Sequence, residues 1–152
     1  KAADRFYQLV KYKYFDGELF YRVNPGFVAQ FGASDSLKRK LWEKVKVPDE
    51  KIIQGNDRGT LSFARGGKET RTTDVFINLG ANNRLDTLDY NDVKGFPAFG
   101  KVIKGMSVVD SLYSGYSDNV MLDDFDLMIS NQDSLLRKYP KLDKIKKAYL
   151  LK

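Results

Sequence analysis

Apolar residues in this chain fall mainly in short runs, separated by polar connections that contain glycine. The runs with the length and composition of β-strands are residues 19–23, 27–31, 60–64, 75–79 and 98–103. Between the first two, Asn24-Pro25-Gly26 predicts a tight turn, because proline presets φ and glycine tolerates a positive φ. The pattern predicts a mainly β fold, a barrel or a sandwich, with helices packed against it.

Helical spacing of apolar residues occurs between these runs. The helices that it predicts cover residues 2–14, a short segment around residues 37–45, and residues 107–114. The second of them lies in a long insertion at residues 32–58, and Pro48 is expected to end it.

Residues 117–152 form a C-terminal extension with a different composition. Residues 117–132 are acidic and predict irregular structure. Asp133 is expected to cap a short helix that ends before Pro140, and residues 144–151 are a possible last strand. Neither an internal repeat nor a domain boundary is visible, so residues 1–152 are predicted to form a single domain with two or three helices.

The composition limits the chemistry that this chain can perform. Hydrophobic residues make up 42% of its 152 residues, which is enough for a packed core. It contains neither cysteine nor histidine, which excludes disulfides, thiol catalysis and a Ser-His-Asp triad. Any reaction must therefore use Arg, Lys, carboxylates, Tyr or the backbone, and we expect one that requires no strong base, no metal and no cofactor.

The net charge of +6 leaves two interpretations of the surface. The 26 basic residues are spread among 20 acidic ones, so we expect a solvated basic domain rather than a nucleic-acid-binding surface, which is the alternative. No apolar run approaches the ~20 residues of a membrane span. A secretory signal is removed on export, so a cytoplasmic and an exported location both remain open.

Three stretches form motifs in a fixed order. Residues 20–30 read FYRVNPGFVAQ, residues 59–64 read GTLSFA with residues 73–77 following, and residues 99–106 read FGKVIKGM. In sequence, order and spacing they resemble the motifs of the cyclophilin-type peptidyl-prolyl cis–trans isomerases, whose first motif is F-[HYF]-R-V-x-P-G-F-x-x-Q. The segments that look like a bacterial branch of this family are residues 70–73, 78–80 and 139–143.

The resemblance implies a closed β-barrel with a shallow groove that holds a proline ring. The family's groove arginine corresponds to Arg22, and the glutamine that orients it corresponds to Gln30. The residues that the resemblance places on the apolar floor are Phe27, Phe63, Phe76 and Leu85. Ala64 and Arg65 are expected to pair their backbone with the bound peptide as an added strand.

Two residues depart from the family pattern in ways that bear on catalysis. Asp74 stands where the family usually has glutamine, and we expect it to contact Arg22 or Arg71. A contact with Arg22 would hold its guanidinium in place or partly neutralise its charge. Arg84 stands where an aromatic residue, often tryptophan, forms one wall of the proline pocket. The loss of that ring predicts weak or no binding of cyclosporin.

Other departures concern the frame of the site. Arg65 stands where asparagine is common, and Tyr90 is a loose counterpart of a family histidine. Cyclophilins usually open with one or two strands, whereas Lys1 already lies at the first helix. We therefore expect a barrel whose N-terminal strands are missing from this chain.

The predicted function is that of the family, acceleration of rotation about X–Pro bonds during protein folding. A fixed guanidinium that donates to the prolyl nitrogen binds the twisted amide better than either planar form. The expected partners are proline-containing peptides or unfolded proteins. The alternative is a binding or assembly module with weak or lost catalysis, which Asp74 and Arg84 favour and Arg22, Gln30 and Phe76 oppose.

Overall fold

The computed structural model describes residues 1–33 and 35–151. Its strands are β1 (Arg22–Asn24), β2 (Val28–Phe31), β3 (Thr60–Phe63), β4 (Val75–Asn78) and β5 (Ala98–Lys101). They form one antiparallel sheet in the order β1-β2-β4-β3-β5. Each strand overlaps one of the five predicted runs, so the prediction of strands is confirmed.

The sheet is open, with β1 and β5 at its two edges. A barrel requires that the two edge strands of a sheet pair with each other or with further strands. Among the described residues no register joins β1 to β5, so these five strands alone do not form the closed barrel. Its closure by opening strands stays a prediction.

Helices surround this sheet. Within the described residues they are α1 (Ala2–Lys11), α2 (Ser36–Glu43), α3 (Arg84–Thr87), α4 (Met106–Asp110), α5 (Asn119–Asp123), α6 (Phe125–Ser130) and α7 (Gln132–Lys138). The prediction of two or three helices is therefore wrong. In the acidic segment, Val120 and Met128 are fully buried while Asp123 and Asp126 are exposed, so the high charge concealed a helical pattern. Of the helices in the described part of the chain, none is long and apolar enough to cross a membrane.

The cap of α7 also differs from the prediction. The side chain of Asn131, not Asp133, accepts a hydrogen bond from the backbone N–H of Ser134 at 3.0 Å. Asn and Asp are equally good N-cap residues, so composition alone did not distinguish the two positions.

Residues 144–151 do not form the expected last strand. They contribute one isolated antiparallel bridge, between Lys144 and Leu19. Backbone hydrogen bonds of Ile145 to Gly17 and Glu18 flank this bridge, and further along the backbone N–H of Ala148 donates to the Asp16 side chain at 2.9 Å.

Two apolar clusters position the site. In the first, Leu9 of α1 and Phe15, which follows the helix, pack with Phe31 of β2, and all three are at most 4% exposed. In the second cluster, α5, α6 and α7 pack against Leu19 and Tyr21, which precede β1 in the chain. The C-terminal extension is therefore fixed next to Arg22.

The insertion at residues 32–58 holds α2. The side chain of Asp35 caps this helix by accepting from the backbone N–H groups of Leu37 and Lys38, at 3.0 and 3.2 Å. The predicted helix is confirmed, although it ends at Glu43, before Pro48. The buried Val47 then forms a bridge with Arg71 that joins the insertion to the body of the protein.

Candidate active site

Three residues singled out from the sequence lie in one row across the sheet. Arg22 is opposite Gln30 in the β1–β2 pair, and Gln30 is opposite Phe76 in the β2–β4 pair. Directly opposed residues share one face of a sheet. The register therefore brings the guanidinium, the amide and the ring together.

Phe27 reaches the same face through the turn between β1 and β2. Its backbone N–H donates to the carbonyl of Asn24 at 2.9 Å, and Gly26 adopts a φ of 73°, which glycine tolerates without strain. The guanidinium carbons of Arg22 and Arg84 lie over its ring, 5.3 and 4.7 Å from the centroid. Such cation–π contacts hold both arginines beside the ring.

A groove with a volume of about 400 Å³ opens over these residues. Of the residues singled out from the sequence, those that line it are Arg22, Phe27, Gln30, Ala64, Arg65, Phe76, Arg84, Leu85 and Tyr90. Its floor is apolar, with Phe76, Leu85 and Phe96 only 4–9% exposed. The rings of Phe76 and Phe96 meet edge to face at 6.1 Å.

Arg22 has two of its nitrogens engaged within the protein. Its Nε donates to Oδ1 of Asp118 at 2.5 Å, and its Nη1 donates to Oε1 of Gln30 at 3.3 Å. Its Nη2 makes no hydrogen bond to any described residue. A guanidinium thus stands at the wall of an apolar groove, held at two points, with the two N–H donors of Nη2 unpaired.

The orientation of Gln30 is set by a polar chain behind it. Its Nε2 donates to the Tyr21 hydroxyl at 2.6 Å, and that hydroxyl donates to Oδ1 of Asp74 at 3.0 Å. An ionised carboxylate only accepts hydrogen bonds, so the hydroxyl donates to Asp74 and its oxygen accepts from Gln30. The amide oxygen of Gln30 therefore faces Arg22.

Tyr21 stays protonated in this chain. Burial raises the pKa of Tyr21 well above its ordinary value of 10.0, and the neighbouring negative charge of Asp74 raises it further. The hydroxyl is therefore neutral at physiological pH and keeps donating to the carboxylate.

Asp74 pairs with Arg39 of the insertion helix rather than with Arg22 or Arg71. Oδ2 of Asp74 lies 2.9 Å from Nη2 of Arg39, and both side chains are 13% exposed. The insertion places a cation over this carboxylate, which the sequence pattern did not indicate. Asp74 lines a second cavity of about 340 Å³ that adjoins the groove at Gln30.

Phe63 is not brought into the groove. It is fully buried in the core, with its ring 5.0 Å from that of Phe99. Successive side chains of a strand face opposite sides, so its neighbour Ala64 lines the groove instead. The Ala64 amide donates to the carbonyl of Asp74 at 2.9 Å and is not available to a bound peptide.

Arg65 forms part of the groove wall. Its side chain is 1% exposed, with Nη1 3.0 Å from Asp49 and Nη2 donating to the carbonyl of Lys94 at 3.0 Å. The guanidinium also lies over the ring of Phe96, at 5.1 Å. These contacts indicate a structural role for the side chain.

Sequence reasoning missed four residues that line the groove, which are Val28, Leu88, Phe96 and Met121. It also missed Asp118, which contacts Arg22. Asp118 lies 96 residues from Arg22, in the acidic segment for which the sequence predicts irregular structure. The helical pattern of that segment was the available signal. In the described part of the chain, no group of three or more acidic residues is placed to hold a metal ion.

Comparison with known proteins identifies the family. A family model described as cyclophilin type peptidyl-prolyl cis-trans isomerase/CLD matches residues 1–131. This chain belongs to the cyclophilin family. The family membership that the three motifs predicted is therefore confirmed.

Curated cyclophilins are similar to this chain over most of its length. A peptidyl-prolyl cis-trans isomerase of Acinetobacter baylyi is 34% identical over 113 residues, covering 73% of this chain and 59% of the relative. Peptidyl-prolyl cis-trans isomerase A of Dickeya dadantii is 36% identical over 124 residues, covering 78% and 63%. The chain thus spans less than two thirds of either bacterial relative.

A solved cyclophilin shares the fold. The cyclophilin type isomerase of Cryptosporidium parvum, crystallised in the presence of the dipeptide Ala-Pro, aligns with a TM-score of 0.59 and 25% identity. The alignment covers 77% of this chain and 75% of that one. The cyclophilin fold of this chain thus comprises a five-stranded antiparallel sheet and several helices.

Proposed function

We propose that this cyclophilin catalyses cis–trans isomerisation of X–Pro peptide bonds, with Arg22 as the catalytic residue. The observation that carries the proposal is Nη2 of Arg22, which stands at the wall of the apolar groove without a hydrogen bond to any described residue, while Nε and Nη1 are held by Asp118 and Gln30. The names of the curated relatives support the same activity.

The chemistry requires a donor and little else. Rotation about the amide bond costs ~18–20 kcal/mol, because nitrogen lone-pair resonance keeps the peptide planar. Twisting frees the lone pair, which then accepts a hydrogen bond. Nη2 of Arg22 would donate to that nitrogen and so stabilise the twisted state over both planar states.

The apolar floor supplies the second part of the mechanism. Phe27, Phe76, Leu85 and Phe96 form a surface for the proline ring, which would stay fixed while the flanking chain rotates. Burial of the peptide excludes water that would otherwise stabilise the planar amide. It also strengthens the hydrogen bond from the guanidinium.

Peptide segments that contain proline are the proposed substrates. Crystallisation of the Cryptosporidium parvum relative in the presence of Ala-Pro supports this class. The carbonyl of Ala64 and the backbone of Arg65 are the proposed pairing groups for the extended peptide.

We also propose that the sheet is part of a closed barrel of the cyclophilin type. Its edge strands β1 and β5 are the places where further strands would pair. The test is hydrogen exchange at the backbone N–H groups of β5 that point away from β3. Slow exchange would support pairing with a further strand and a closed barrel, and exchange as fast as at an exposed edge would contradict it.

A binding module with lost catalysis is the second candidate, and Arg84 favours it. Its guanidinium lies 4.7 Å from the centre of the Phe27 ring, at the wall where the family usually has an aromatic residue. The distinguishing experiment is exchange NMR on a proline-containing peptide with catalytic amounts of protein. Faster cis–trans exchange supports the isomerase, and binding shifts without faster exchange support the module.

A further inference from the structure

The insertion helix α2 presents an apolar stripe to solvent. None of its residues is buried. Leu37 and Leu41 of the helix and Val45 just beyond it are four residues apart, and they are 77%, 71% and 63% exposed. Apolar residues at this spacing normally face a partner.

A groove separates this stripe from α1. It has a volume of about 510 Å³ and shares no lining residue with the groove at Arg22. Trp42 lines it, and the rings of Tyr12 and Tyr14 lie 6.0 and 6.2 Å from the Trp42 ring. Tyr14 is 2% exposed and donates its hydroxyl to the carbonyl of Gly32 at 2.9 Å, so its ring is held in place, whereas Tyr12 is 67% exposed.

The position of Trp42 is fixed from behind. The guanidinium of Arg5 lies over its ring at 5.4 Å, and Nη1 of Arg5 donates to the carbonyl of Thr72 at 3.1 Å. On the other side of the helix, Arg39 is tied to Asp74 of the sheet. Helix α2 is therefore attached to the body of the protein by buried polar contacts, while its apolar stripe stays uncovered.

The charge around this groove has one sign. Among the described residues its charged lining consists of Arg5, Lys13 and Lys38, with no carboxylate. Residues 37–46 contain five basic residues and one acidic residue, Glu43. Glu43 is engaged by Arg39 at 2.5 Å.

We propose that this groove docks an acidic peptide segment of a partner protein, anchored by an apolar or aromatic side chain on Trp42. Charge complementarity selects an acidic partner, and the exposed stripe beside the aromatic floor selects an apolar anchor. The groove has α1 on one side and α2 on the other, and such a cleft fits a peptide laid between two walls better than a flat membrane surface. The proposal is independent of the isomerase activity.

Trp42 provides the test, because it is the only tryptophan of the chain. The probe is a synthetic amphipathic peptide of Glu, Leu and Phe that lacks proline and tryptophan. We expect a saturable change in Trp42 fluorescence that weakens as salt rises. The control peptide, in which Lys replaces every Glu, should bind at least about tenfold more weakly, the equivalent of 1.4 kcal/mol.

Two variants test the two halves of the site. The double variant Lys13→Glu/Lys38→Glu should have a lower affinity for the acidic peptide and a higher affinity for the basic control peptide than the wild type has. Leu41→Ser should weaken binding of the acidic peptide, whereas Ile103→Ser, a change at a 96% exposed residue elsewhere, should not. Circular dichroism checks that each variant is folded.

Four results would overturn the proposal. They are equal binding of both peptides, an unaltered preference in the double variant, a fluorescence change that depends on protein concentration without peptide, and a response to anionic vesicles but not to the peptide. The third would indicate a second copy of this chain as the occupant, and the fourth a membrane. Because the probe lacks proline, none of these results bears on the isomerase.

Discussion

Asp118 holds Arg22 by an ion pair of 2.5 Å between Oδ1 and Nε. The same oxygen accepts from the side-chain amide of Asn24 at 2.9 Å, and the neighbouring Ser117 hydroxyl donates to Asn24 at 2.7 Å. The C-terminal extension thus reaches across to the first motif and fixes its arginine. Asp118 and Gln30 engage Nε and Nη1, and among the described residues Nη2 has no hydrogen-bond partner.

The ion pair predicts that Asp118→Ala lowers kcat about tenfold with little change in KM, because loss of a charged hydrogen bond of ~1.5–3 kcal/mol lets the guanidinium move. Asp118→Glu should restore part of the activity. The measurement is a proline-isomerisation assay, with Asp123→Ala as the control for an exposed acid of the same segment. Equal activity of Asp118→Ala and wild type would show that Asp118 does not position Arg22 for catalysis.

The Asp74–Arg39 pair predicts that Asp74→Gln does not improve the enzyme, although glutamine is usual in the family at this position. Breaking this mostly buried ion pair leaves Glu43 as the remaining carboxylate partner of Arg39 among the described residues, and should lower the free energy of unfolding by about 1–3 kcal/mol. Urea denaturation measures this change. Asp110→Asn, which breaks the exposed pair with Arg58, is the control and should leave the midpoint almost unchanged. A more active and equally stable Asp74→Gln would contradict the proposed role of Asp74.

Arg84 is the second departure from the family pattern, and here we expect that restoring the usual aromatic residue improves binding. Because its guanidinium covers Phe27 without supplying a ring for proline, Arg84→Trp should raise the affinity for cyclosporin about tenfold, the equivalent of ~1.4 kcal/mol. Calorimetric titration of wild type and variant checks this, with Arg84→Ala separating removal of the charge from addition of the ring. If Arg84→Ala gains as much affinity as Arg84→Trp, the missing ring is not the cause.

The raised pKa of Tyr21 predicts a pH dependence of stability with a definite sign. Below pH 10.0 the folded and unfolded states both keep the phenol proton, so the group contributes no slope. Above it the unfolded state loses the proton first, so stability falls as pH rises, by about 1.4 kcal/mol per pH unit relative to Tyr21→Phe.

Urea midpoints of wild type and Tyr21→Phe on both sides of pH 10.0 measure the slope difference. Parallel curves across pH 10.0 would show that the phenol ionises equally in both states, and would contradict the burial of the Tyr21 hydroxyl beside Asp74.

The strands and the central row of the site could be predicted from the sequence because both depend on local patterns. Arg22 and Gln30 are eight residues apart across a tight turn, so the hairpin alone makes them neighbours. The motif spacing then placed Phe76 on the adjacent strand.

The partners of the site could not be predicted in the same way. Asp118 and Arg39 come from segments without a motif, and their approach to Arg22 and Asp74 depends on how α5 and α2 pack. Phe63 was placed in the groove on its motif position, whereas the alternation of strand faces puts it in the core.

The most direct test of the catalytic role of Arg22 is a comparison of turnover and binding in Arg22→Ala. Exchange NMR on an Ala-Pro peptide gives kcat/KM, and titration of the same peptide gives its affinity. We predict a loss of kcat/KM of about 10²-fold or more with nearly unchanged affinity, while Arg58→Ala, a change at an exposed arginine, retains full activity. Equal kcat/KM in Arg22→Ala and wild type would contradict the mechanism.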